Sequence, residues 1–333
     1  QKNTKNLLQQ SPIPTSSGFA SMLVNRGGLE NKGLEIGLDV TAIDKGDFNL
    51  SFGGNVSFNK SKIENLGLVP GDILMSNGMG GYSNQQIASY LGNVPSRGNS
   101  IKFPINIFME GHEVGLFYGW KTDGLFQSGD TMYPINGSMS QPGDIKVLDL
   151  NGDGVVDLAD RTVIGNPNPD YVYGFNVNLS YKGFSMRALF NGVEGNEIVN
   201  GNYYRFGWAE GTYRNIVADA WYDRWTPDNT SAAYPRLGYS ANLFGALMDR
   251  VIEDGSYLRL KSITLNYDIP LSNNNFVDAA NVYITGSNLF TWTDYSGYDP
   301  EITTFLWDGL LQGTDWNNKP NSRSVLVGVN LNF

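Results

Sequence analysis

Oxygen-bearing side chains recur at short intervals in DLNGDGVVDLAD, the stretch from Asp149 to Asp160. Counted from Asp149, the first, third, fifth, ninth and twelfth positions are Asp149, Asn151, Asp153, Asp157 and Asp160; the seventh, Val155, offers a backbone carbonyl. This is the donor spacing of an EF-hand-type loop, which gathers hard oxygens around Ca²⁺ and needs a glycine at its sharp turn, here Gly154. A structural Ca²⁺ held by Asp149, Asn151, Asp153, Val155, Asp157 and Asp160 is therefore expected, with Asp160 shorter than the usual Glu at the twelfth position. The competing reading is an Asn-Gly-Asp-Gly turn whose acids are simply solvated; five oxygen side chains in register favour the metal. No second copy follows and no flanking helices are indicated, so the ion would clip a loop rather than act as a sensor.

No comparable constellation points to catalysis. His112 is the single histidine, and a lone histidine is more often structural than catalytic. No G-x-S-x-G elbow, H-E-x-x-H pair or phosphate-binding loop is present. With 33 Asp and Glu, close acid pairs arise by chance, so a glycosidase has little support. The chain is read as a non-enzyme.

Composition narrows the class further. A formal net charge of −10 argues against nucleic acid, whose binders need a basic stripe. With no cysteine there is neither a disulfide framework nor a thiolate site, which is neutral about compartment. Abundant Gly (40) and aromatic residues, without a long apolar run, favour β structure with many turns over transmembrane helices. The opening QKNTKNLLQQSPIP has no apolar signal core, so any export signal is expected upstream of Gln1.

The elements that must position the loop show a period of two. In RSVLVGVNLNF, Val325, Val327, Val329, Leu331 and Phe333 share one face, opposite small or polar residues. In VYGFNVNLSYK, Tyr173, Phe175, Val177, Leu179 and Tyr181 alternate with Gly, Asn and Ser. Similar runs occur at Leu34–Val40, Phe48–Phe52 and around Val282–Phe290. An apolar face opposed to an Asn/Ser/Gly face fits an all-β, antiparallel transmembrane β-barrel, with lipid outside and a polar interior. A chain ending in an aromatic-terminated amphipathic strand also resembles bacterial outer-membrane barrels. A secreted calcium-binding β-sandwich adhesin or carbohydrate-binding module is the competing class, because it too alternates.

Loop lengths test the barrel. Short periplasmic turns should alternate with long extracellular loops. With Phe333 periplasmic, long loops fall near 11–33, 59–98, 127–170, 193–256 and 292–322. Short turns fall at Asp44–Gly46, around Gly111, at Tyr181–Phe184 and near 270–280. About ten strands result, counting a weak one at 3–10. YLRLKSITLNYDIP fits poorly, because Arg259 and Lys261 continue its apolar face; a bulge near Ser262, or a wall rising above the bilayer, would resolve this. Aromatics gather in the expected outside loops: Tyr203, Tyr204, Phe206 and Trp208; Trp221, Tyr222 and Trp225; Trp307 and Trp316. Loop packing or an interfacial girdle is favoured for them over sugar stacking. RWTPDN and YPRL read as loop anchors.

Several longer stretches resemble the SusC/RagA family of TonB-dependent outer-membrane transporters of Bacteroidetes. They are SSGFASMLVNRGGLENKGLEIGLD (16–39), VGLFYGWKTDGLFQ (114–127), GDIKVLDLNGDGVVDLADRTVIGNPNPDYVYGFNVNLSYKGF (143–184), IEDGSYLRLKSITLNYDIP (252–270), NVYITGSNLFTWTDYSGYDPEI (281–302) and RSVLVGVNLNF (323–333). The resemblance implies the C-terminal part of a large plugged barrel of the 22-strand class. It implies import of oligosaccharides or peptides, energy from TonB, and a SusD-like surface lipoprotein as lid. The N-terminal domain, TonB box and plug of that family are not in this chain, nor is about half of such a barrel. The chain is then either a piece of a longer polypeptide or a subunit that shares its barrel with another chain; an independent ten-strand barrel is disfavoured, because these segments resemble the C-terminal part of the larger one. Outer-membrane lipid and the plug-bearing portion are the further partners implied.

Overall fold

The computed structural model describes residues 1–5, 8–12, 18, 21–25, 27–66, 74–76, 82–84, 89–91, 105–206, 215–238, 247–271, 276–301, 304, 312–316 and 318–333. One antiparallel sheet dominates. Its strands are β1 (Lys2–Lys5), β2 (Gly28–Lys45), β3 (Phe48–Asn65), β4 (Tyr171–Tyr181), β5 (Phe184–Glu194), β6 (Tyr257–Ile269), β7 (Ala279–Thr293) and β8 (Ser324–Asn332). Each pairs with its neighbour in the sequence, so the sheet is an uninterrupted up-and-down meander.

Register turns the period-two pattern into two faces. Ile36 lies opposite Val56, Val56 opposite Tyr173, Phe175 opposite Phe190 and Met186 opposite Leu265; Ile284 then lies opposite Val327. All of these point to one side. The other side joins Ser51 to Asn178, Asn178 to Arg187 and Thr264 to Thr285. On the apolar side Leu38 is 66% exposed and Val327 70%, so among the described residues no second sheet packs on that face. A β-sandwich would bury it; a barrel wall turns it to lipid. No helix among the described residues is long and apolar enough to cross a membrane.

Connections at one end of the sheet are short. Gly46 turns at φ 60° between β2 and β3, and Lys182 and Gly183, at φ 46° and 84°, form the two-residue turn between β4 and β5. A third connection, 270–278, joins β6 to β7. At the other end the connections 66–170, 195–256 and 294–323 are long.

Two expectations are corrected. The strands either side of Gly111 are not in the wall, which among the described residues holds eight strands where about ten are expected. Asn106–Met109 and Leu116–Gly119 pair with each other, and with Ser89–Leu91 and Thr162–Gly165, in a separate four-stranded sheet. The Gly111 turn also lies at the long-loop end, because its N–H donates to the Ile63 carbonyl (2.7 Å) and Ile63 N–H donates to the His112 carbonyl (2.9 Å). The physical reason is visible in the side chains: Ile107, Phe108, Leu116 and Phe117 are all buried, so both faces are covered, as no lipid-and-lumen strand allows. Removing two strands leaves the up-down parity of the rest unchanged, which is how the count misled. The weak strand at 3–10 divides into β1 and a segment, Leu8–Pro12, that pairs with Ser21–Asn25 outside the wall.

The misfit in β6 is a bulge. Pairing passes from Leu260–Phe290 to Ser262–Ser287, leaving Lys261 out of register. The extra residue reverses the phase. Below it Ile263 and Leu265 face outward; above it Leu258 and Leu260 do, and Arg259 turns to the inner side.

Candidate functional site

The long connections build a cap with its own core. Ile105, Phe117, Trp120, Phe126, Ile145, Val147 and Val156 of the first connection pack with Val199, Trp225, Leu247, Met248 and Val251 of the second. Backbone bonds weld the two: Trp120 N–H donates to Leu247 O (2.9 Å) and Asp249 N–H to Trp120 O (3.1 Å).

The loop from Asp149 to Asp160 is fixed to this core. Val156 is fully buried, with its N–H on Pro134 O and its carbonyl receiving Asn136 N–H, both at 2.9 Å. The Trp120 indole donates to the Asp157 carbonyl (2.9 Å). Asp160, also fully buried, accepts Leu150 N–H (2.8 Å) and Asn151 N–H (3.2 Å) on one oxygen and Asp157 N–H (2.8 Å) on the other. Asp157 caps the short 3₁₀ turn Leu158–Asp160 through Ala159 N–H, so Asp157 and Asp160 form a capping box.

The remaining acids hold the turn itself. Asp149 accepts Gly152 N–H (2.7 Å) and Gly154 N–H (2.8 Å), and both glycines have positive φ. Asn151 accepts Asp153 N–H, and Asp153 accepts Val155 N–H, each at 2.9 Å. The six residues named from spacing thus share one loop. The side chains of Asp149, Asn151, Asp153, Asp157 and Asp160 each accept at least one backbone N–H, Asp153 also takes the Asn151 amide (3.1 Å), and among the described residues no three His, Cys, Asp or Glu side chains converge as a metal cage.

The loop aromatics divide. Trp225 is core, with its indole on Gln127 Oε1 (3.1 Å), and Tyr203 and Trp316 pack against the same core. Trp221 and Tyr222 are exposed, Trp221 lying under the Arg224 guanidinium. The side chains of Tyr204 and Phe206, and all of Trp208 and Trp307, lie outside the described residues. RWTPDN and YPRL act as anchors: Trp225 N–H donates to Tyr234 O (2.8 Å), and Arg236 pairs with buried Asp144 (2.7 Å). Among the described residues His112 makes backbone turn contacts, its N–H to Met109 O (3.2 Å) and its carbonyl to Ile63 N–H (2.9 Å).

Sequence reasoning missed a polar cluster beneath the third long connection. Arg259 reaches inward to Asp299 and Glu301, with its Nε on Thr291 Oγ1 (3.0 Å). Asp299 also accepts Glu301 N–H (3.0 Å) and Asn321 N–H (3.1 Å). Burial pushes its pKa up, but the Arg259 bond and the two backbone donors outweigh this and hold it below the ordinary value. Nearby, Asp315 receives the Tyr295 hydroxyl (2.9 Å) and, among the described residues, pairs with no cation. Burial there prevails, so the Asp315 pKa is raised, and burial with the adjacent Asp315 raises that of Tyr295. The available signal was the pair of cations, Arg259 and Lys261, on an otherwise apolar strand face.

Fold and site together define a class: a stretch of antiparallel β-barrel wall whose long connections gather into a cap at one end. No family model matches the chain. It is 33% identical over 99% of its length to TonB-dependent receptor P3 of Formosa agariphila, and 28% identical over its whole length to TonB-dependent receptor SusC of Bacteroides thetaiotaomicron. The chain spans about a third of these relatives, 31% and 29% of their lengths. A solved RagAB peptide transporter superposes on 99% of this chain with a TM-score of 0.72 at 25% identity, the match covering 32% of that chain. Over its whole length, then, the chain is a homologue of SusC-type TonB-dependent receptors.

Proposed function

We propose that this chain is the C-terminal wall and extracellular cap of an outer-membrane TonB-dependent importer of oligosaccharides or peptides. The observation that carries the reading is the eight-strand meander with one continuous unpacked apolar face and a polar opposite face. Short turns would then be periplasmic and the cap extracellular. The polar face lines the lumen; the rest of the barrel, a plug and TonB complete the machine. A SusD-like surface lipoprotein closes over the cap, where exposed Trp221 and Tyr222 are available to it or to cargo. Support comes from the homology to SusC-type receptors and from the likeness to a peptide transporter.

Single cysteines test the arrangement, because this chain has none of its own. Met139→Cys in the cap should react with an impermeant maleimide on intact cells, and Asp47→Cys in a short turn only after lysis. Recovery of the protein as a freely soluble monomer would sink the reading.

A calcium ion in the loop remains part of this proposal. Donor spacing and the two positive-φ glycines favour it; Asp149 and Asp153, each oxygen holding a single N–H, keep lone pairs that could meet the ion.

A further inference from the structure

The outward face of the wall is not uniform. At the short-turn end it contains a groove of about 480 Å³, within the size range of single-ligand sites. Leu179, Met186, Leu265 and Ile284 of β4 to β7 line it, and its exposed lining is almost entirely carbon. Its mouth is aromatic: Phe184 and Tyr267 lie 4.3 Å apart between ring centroids, next to Tyr181. The Lys182 ammonium sits 5.3 Å from the Tyr181 ring centre, at that mouth. The Lys182–Gly183 turn is held by backbone bonds: the Asp47 carbonyl receives Lys182 N–H, and Asp268 N–H, from the end of β6, donates to Gly183 O.

We propose that this groove is a discrete phospholipid site, one acyl chain lying along β4 to β7 and the phosphate meeting Lys182. Three observations select that occupant. The groove is continuous with the exposed apolar face, so its contents are drawn from whatever hydrocarbon covers that face. Aromatic rings at the mouth fit the boundary between acyl chains and headgroups. The Lys182 ammonium beside the Tyr181 ring supplies a cation for a phosphate at that boundary. A groove holding one chain in place retains its lipid longer than the smooth wall around it. The inference rests on the membrane-spanning reading above.

The test uses the intact transporter that contains this chain, purified in mild detergent, with bound phospholipid counted by native mass spectrometry and by phosphorus analysis. The parent should retain one phospholipid per chain. Met186→Trp and, independently, Leu265→Trp fill the groove and should each lower retention by about tenfold, the effect of ~1.4 kcal/mol of lost contact. Leu38→Trp, on the same face but outside the groove, should retain as the parent does. Lys182→Ala should lower retention of phospholipid without admitting more detergent. Detergent alone in the parent, or equal retention by the filled variants, overturns the site. Membrane insertion, read by the cysteine pattern described above, stays intact if only this inference fails.

Discussion

Arg259 and Asp299 form an ion pair almost wholly removed from solvent, with side chains 2% and 4% exposed. The bulge at Lys261 makes it: without the extra residue Arg259 would point to the apolar face. Through Asn321 N–H, Asp299 ties the start of the last long connection to its end as well as to the wall.

Removing the cation alone leaves a buried carboxylate, a change that costs about 3–5 kcal/mol. Arg259→Met should therefore loosen residues 295–301 and 318–323, seen as faster amide hydrogen exchange. Restoring neutrality with Asp299→Asn in the same chain should recover part of the protection. Unchanged exchange in Arg259→Met would remove the latch from the account.

Asp299 and Asp315 should give the same connection opposite responses to acid. The folded pKa of Asp299 lies below its ordinary 3.8, so its stabilisation is complete above that value and is lost as pH falls through the folded pKa. For Asp315 the folded pKa lies above 3.8, so its ionisation destabilises at neutral pH, and acidification down to 3.8 relieves the cost. Asp315→Asn should slow exchange near residues 312–316 at neutral pH and flatten the rise in protection on mild acidification. A steeper pH dependence in that variant would contradict the sign.

Asp160 and Asp153 separate two roles of the acidic loop. Asp160→Ala removes the buried acceptor of three part-buried N–H groups, each bond worth about 0.5–1.5 kcal/mol net, and should expose the 149–160 segment to proteolysis with or without calcium. Asp153→Ala removes an exposed donor and should leave the fold intact while abolishing any bound calcium. Metal analysis that finds no calcium in the parent refutes the ion and leaves the hydrogen-bonded turn.

Gly143 sits at φ 86° with the Trp225 ring where a Cβ would go, 2.5 Å from Cε3. Gly143→Ala combines backbone strain with overpacking and should destabilise the cap by about 1–3 kcal/mol. A red-shifted tryptophan emission together with unchanged membrane insertion would locate the damage in the cap.

The wall was legible because lipid and lumen impose opposite polarities on successive residues, so Val325 to Phe333 or Tyr173 to Tyr181 carry their own orientation. The cap was not. Ile107, Phe108, Leu116 and Phe117 are covered on both faces, and periodicity cannot tell such strands from wall strands. The Arg259 network was half legible: its cations stood out on β6, while Asp299 and Glu301 lie in a connection with no period to read. The calcium spacing was plain, yet the same residues, taken singly, are the acceptors that any tight Asx turn requires.

The joint core of the cap constrains how such chains can change. Trp120 belongs to one long connection and Met248 to another, and each completes the other's packing. Both connections leave from and return to neighbouring wall strands, so the wall imposes no limit on their content. An exchange of cap sequence between related chains should therefore succeed only when 66–170 and 195–256 travel as a matched set; a chimera carrying one without the other would keep its wall and lose its fold above it.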